Sequence, residues 1–115
     1  MRIARIVMAA SLIMMIGGCE NYIIEKPVIP PGISFSLDVQ PIFDAKCMDC
    51  HSGLINPNLT YEESHINLIN GGFINTDDPE SSIIYEKLRE SHSSRATEEE
   101  KLIILLWITE GAENN

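Results

Sequence analysis

Cys47, Cys50 and His51 stand together in the run Cys47-Met48-Asp49-Cys50-His51, and their types and spacing carry a direct chemistry. Two thiols at this spacing can add to the two vinyl groups of one haem, and the adjacent imidazole then lies under the iron as an axial ligand. Two other readings compete. A zinc ion could recruit Cys47 and Cys50 with a histidine elsewhere. A redox disulfide could join the two thiols, although the βαβ surroundings expected of such a pair are missing. No paired carboxylates with support and no nucleophile with a base beside it stand elsewhere in the sequence, so a non-enzymatic role is expected.

The elements that must position this motif read as helices. Ser36 is a candidate N-cap for a first helix, with Leu37, Ile42 and Phe43 on one face. Pro41 interrupts that pattern, so a helix either starts afresh there or kinks. Residues 52–58 contain Gly53 and Pro57 and read as loop. Thr60 and Glu63 have capping-box spacing ahead of a helix over 61–70, closed by Gly71-Gly72. Asp78-Pro79 opens a helix running to about Arg89. Thr97 and Glu100 form a second capping box, ahead of an unbroken apolar run from Leu102 to Ile108 that ends near Gly111. A run apolar around most of its circumference must be largely buried. No strand alternation is visible, so the expected fold class is all-α with about four helices. Such a domain has little core area and only 6% aromatic residues, a shortage that a buried porphyrin would explain.

The first eighteen residues read as an address. Arg2 and Arg5 precede an apolar run from Ile6 to Ile16, too short to span a bilayer. Ile16-Gly17-Gly18-Cys19 then resembles the bacterial lipoprotein box. That resemblance implies cleavage before Cys19, lipidation of Cys19, and a membrane anchor on the periplasmic side of a bacterial membrane. Glu20, which is not Asp, follows Cys19, and by resemblance to the enterobacterial sorting rule this favours the outer membrane. An exported chain is also where c-type haem is attached in bacteria. The expected organisation is a signal peptide over 1–18, a proline-bearing lipidated tether over 19–32 and one domain over 33–115. Losing Arg2 and Arg5 leaves 6 cations against 17 carboxylates, a mature charge of −11. That balance disfavours nucleic acid and suits redox partner proteins with basic surfaces; no small-molecule substrate is evident.

The run Phe35-x-x-Asp38-Val39-x-Pro41-Ile42-Phe43-x-x-Lys46-Cys47-x-x-Cys50-His51 resembles the opening of a small bacterial cytochrome c-like family. The segments Pro79-Glu80-Ser81-Ser82-x-x-Tyr85-x-Lys87-Leu88 and Thr97-Glu98-Glu99-Glu100 to Trp107-Ile108-x-x-Gly111-Ala112 match later parts of it, in order. The resemblance covers about residues 33–115. It implies a cytochrome c fold in which N- and C-terminal helices cross beside one covalent haem c. Leu102, Leu105 and Leu106 would face the first helix or the haem, and Trp107 would lie near the porphyrin or in the core. It also implies that a proline carbonyl after the motif, here that of Pro57, orients His51.

The chain departs from that family at the second axial ligand. Most members of that family place a methionine in the loop before the last helix, whereas Glu90–Ala96 holds none. Met1, Met8, Met14 and Met15 leave with the signal, and Met48 sits on the proximal side. His92, in the loop that normally delivers the ligand, is the first candidate. His65, a lysine, the α-amine or an open site are the others. Imidazole in place of thioether implies a lower reduction potential. Two functions follow as expectations: a membrane-tethered mono-haem electron-transfer protein, or a haem domain that binds or senses small ligands at an open distal site.

Overall fold

The computed structural model describes residues 28–115; Arg2, Arg5, Cys19 and most of the expected tether lie outside the described residues. Within them the chain is all-α, with five α-helices, two tighter or wider helical turns and no strand. A π-wound turn, Phe35–Val39, runs directly into α1, Gln40–Lys46. Then come α2, Met48–His51, and α3, Ser64–Asn70. A 3₁₀ turn, Pro79–Ser81, precedes α4, Ile83–Arg89, and α5 spans Glu98–Thr109. No described helix is long and apolar enough to cross a membrane.

The first helical segment starts two residues earlier than expected. Ser34, not Ser36, caps it: its hydroxyl accepts from the Leu37 amide at 3.3 Å, and its own amide donates to the Asp38 carboxylate at 2.7 Å. Pro41 falls in the first turn of α1, where its missing N–H is harmless. Its ring would crowd the carbonyl of Leu37, four residues back, and the widened turn just ahead makes room for it. The wider winding also rotates the apolar face. Phe35, Val39, Ile42 and Phe43 are buried, whereas Leu37, expected on that face, is 77% exposed.

Two further boundaries differ from expectation. Thr60 and Glu63 form no capping box. Their segment is a turn in which Glu63 accepts from Asn58 Nδ2 at 2.9 Å, and the helix begins at Ser64. The helix expected from Asp78 to Arg89 is broken at Ser82. The Ser82 hydroxyl is buried against the backbone of Asn75, accepting from its amide at 2.9 Å, and this contact holds Ser82 in extended backbone. The Asn75 side chain, not that of Asp78, organises the turn, accepting from the amides of Asp77 and Asp78.

The glycine stops hold. Gly72 (φ +73°) closes α3 with Phe73 N–H on Leu68 O and Gly72 N–H on Ile69 O, and Gly111 (φ +110°) closes α5 in the same Schellman pattern. The Thr97–Glu100 capping box is formed in both directions, at 2.8 and 3.1 Å.

Helix α5 packs its Ile104, Trp107 and Ile108 face into the core; Leu102, Leu105 and Leu106 are only half-buried, so the expected face was rotated. Trp107 is a core aromatic. Its ring lies 5.0 Å from that of Phe35, and its indole N–H donates to Glu113 O at 2.9 Å. The two ends of the domain are stitched together. The Glu110 carboxylate accepts from the amides of Gly32 and Ile33 at 3.0 and 2.8 Å, and Asn115 accepts from those of Phe35 and Ser36. Ile29 and Ile33 also pack on the core, so the chain is engaged with the fold before Ser34.

Candidate functional site

Helix α1 stops at Cys47, which closes it and opens the single turn of α2: Cys47 N–H reaches Phe43 O at 2.9 Å, and His51 N–H reaches Cys47 O at 2.9 Å. Helical winding puts positions i, i+3 and i+4 on one face. Cys47, Cys50 and His51 therefore point the same way, and all three line a cleft of about 430 Å³. Its walls are mainly apolar, built from Ile42 and Phe43 of α1, Phe73, Ile84 and Leu88 around α4, and Ile104 of α5. Neither thiol is in a disulfide. Met48 packs back against the core and does not reach the cleft.

The loop after the motif returns to hold the imidazole. His51 Nδ1 lies 3.0 Å from Pro57 O and 3.1 Å from Ile55 O. Both partners are carbonyl oxygens, which only accept, so Nδ1 carries the proton. In the neutral ring Nε2 then presents its lone pair. The Leu59 amide donates to His51 O at 2.8 Å and fixes the loop to the motif. The Pro57 carbonyl was expected in this role; that of Ile55 was not, because nothing in its side chain marks it.

The remaining histidines separate. His92 lines the cleft, its ring centre 6.4 Å from that of His51 and the planes tilted by 40°. Its Nδ1 is 3.0 Å from the Ser91 hydroxyl. His65 is elsewhere. Its Nε2 donates to Ala112 O at 2.8 Å, and its ring stands edge-on to Phe35 at 5.1 Å, so it ties α3 to the chain end. The structure thus brings His92 to the motif and leaves His65 out.

Burial raises the pKa of the Cys47 thiol, the Glu100 carboxylate raises it further, and the Arg95 guanidinium partly offsets both. The cleft also carries Lys46, Lys87 and Arg95; the sequence marks Lys46 and Lys87 only as parts of the family pattern and gives no sign that they meet Arg95. They are far apart in the chain, and no local pattern joins them. Among the described residues, no group of three or more His, Cys, Asp or Glu is arranged to hold a metal ion by itself. No family model matches the chain, and neither a curated protein nor a solved structure matches it.

Proposed function

We propose that the cleft holds one haem c, thioether-linked through Cys47 and Cys50 and ligated by His51 and His92, and that the protein is an electron carrier of cytochrome c type. The observation that carries this reading is the convergence of both thiols and the His51 Nε2 lone pair on one apolar cleft, with Nδ1 held by the Pro57 and Ile55 carbonyls. A backbone carbonyl on the far nitrogen is the arrangement that fixes and strengthens a ligating imidazole. A cleft of about 430 Å³ also lies within the size range of organic cofactor sites. A porphyrin brings its own ring of nitrogens, so one or two imidazoles complete the iron's shell and no cluster of protein donors is needed.

The second ligand is supported by placement. His51 and His92 line the same cleft with ring centres 6.4 Å apart, so both imidazoles could serve one group bound there. His65 is already committed to Ala112 O.

A haem supplies reversible one-electron chemistry when bound. The chain's own residues would hold it covalently, fix the His51 tautomer, exclude water with the apolar walls and occupy the distal side with His92. A filled distal side suits electron transfer over ligand capture. The lipid anchor at Cys19, the periplasmic and outer-membrane placement, and partner proteins with basic surfaces remain part of this proposal on the sequence grounds given above.

The test is optical. Protein matured in a host with c-type assembly machinery is reduced and exposed to CO. Slow or absent binding is expected of the wild type, and rapid, complete binding of His92→Ala. Rapid, complete binding by the wild type would replace the carrier with the ligand-binding reading. Identical spectra for wild type and His92→Ala would remove His92 as a ligand.

A further inference from the structure

The chain has 17 acidic and 8 basic residues, yet no Asp or Glu lines the cleft, while Lys46, Lys87 and Arg95 do. Among the described residues the other cations are paired: Arg89 with Glu80 at 3.8 Å and Lys101 with Glu98 at 2.6 Å. Lys46 reaches Glu100 at 3.7 Å. Lys87 and Arg95 form no ion pair among the described residues, although carboxylates outnumber cations about two to one. A position in the last turn of α4 gives Lys87 a favourable helix end. It does not account for a side chain on the wall of an apolar cleft, nor for Arg95, which lies in a loop. At the Cys47 thiol, burial and the Glu100 carboxylate outweigh Arg95, whose charge nevertheless reaches it.

An apolar cleft with cations and without carboxylates fits a flat apolar ligand bearing acidic groups. Resting on the haem reading above, we propose that Lys87 and Arg95 are the seats of the two haem propionates. Their positive charges hold the propionates ionised, and Arg95 can grip a carboxylate with two parallel N–H donors. The pair also raises the reduction potential, because nearby positive charge disfavours the more positive ferric state.

The experiment uses the full-length chain matured in a c-type competent host, as wild type, Lys87→Gln, Arg95→Gln, the double variant, Arg95→Lys and Arg89→Gln. Haem-stained denaturing gels report attachment. Equilibrium redox titrations from about pH 5 to about pH 8 report the midpoint potential across the range where a carboxyl deprived of its counter-ion titrates. Cys47 and Cys50 carry no proton once thioether-linked, and the other titratable groups on the cleft, His51, His92 and Lys46 with its partner Glu100, are common to all variants. Differences between variants therefore isolate the two cations.

The double variant is expected to stain fully, to have a lower potential than wild type, and to gain a fall of potential with rising pH in this window. Arg95→Lys should recover most of the shift, and Arg89→Gln, which removes an equal charge away from the cleft, should leave the profile unchanged. A fully stained double variant with the wild-type profile overturns the assignment and leaves the haem reading standing. So does an Arg89→Gln shift as large as that of Arg95→Gln. Unstained wild-type protein overturns both.

Discussion

A carbonyl oxygen can only accept a hydrogen bond, and at His51 two of them decide which nitrogen carries the proton. The same local accounting applies to Cys47. Burial and the nearby Glu100 carboxylate disfavour its thiolate, and Arg95 favours it. Alkylation proceeds through the thiolate, so in the haem-free chain Cys47 reacts slowly at neutral pH and faster only as the pH rises past a raised pKa. Glu100→Gln removes a negative charge and keeps a side chain suited to the Thr97 capping box, so it should speed alkylation of Cys47 by iodoacetamide. Arg95→Gln should slow it. Peptide mass spectrometry over about pH 7 to about pH 10 gives both rates. A Glu100→Gln variant that reacts more slowly than wild type would show that the environment of the thiol has been misassigned.

Between elements, the motif is held in place by one buried polar knot. Gln40, 1% exposed, donates from Nε2 to Leu59 O at 3.0 Å and to the Asp44 carboxylate at 2.9 Å, while its Oε1 accepts from the buried Ser64 hydroxyl. The knot joins α1, the loop that holds His51, and the start of α3. Gln40→Ala would strand the Ser64 hydroxyl and the Leu59 carbonyl, at a cost of about 2–3 kcal/mol. Urea denaturation measures this, and a loss below about 0.5 kcal/mol would mean that water satisfies those groups instead. The sequence could not reveal this knot, because two of its three partners, Leu59 and Ser64, lie 19 and 24 residues away. Some local devices were legible, the Thr97–Glu100 box and the glycine stops of α3 and α5, whereas the Ser36 cap and the Thr60–Glu63 box were not formed. Devices that depend on distant contacts were not legible. Ser82 breaks the helix expected after Asp78 because Asn75 captures its hydroxyl, and the buried face of α5 was hidden by apolar residues on every side.

At the scale of the molecule, a small helical domain places its motif on an open apolar cleft. The walls come from α1, the segment from Phe73 through α4, and α5, so no single stretch of sequence could outline it. What could be read was the motif and the missing methionine, and these led to the Cys47, Cys50, His51 and His92 positions. What could not be read was the separation of His65 from the cleft and the gathering of cations there, both products of tertiary packing. The chain has 17 acidic and 8 basic residues, yet this cleft is lined by Lys46, Lys87 and Arg95 and by no carboxylate, a segregation that charge totals conceal. Covalent attachment of one haem through the two thiols of this cleft, as proposed, is read by intact mass spectrometry under denaturing conditions. Protein from a c-type competent host should carry the added mass of one haem, and Cys47→Ala/Cys50→Ala should carry none. A wild-type chain without that added mass would contradict the account.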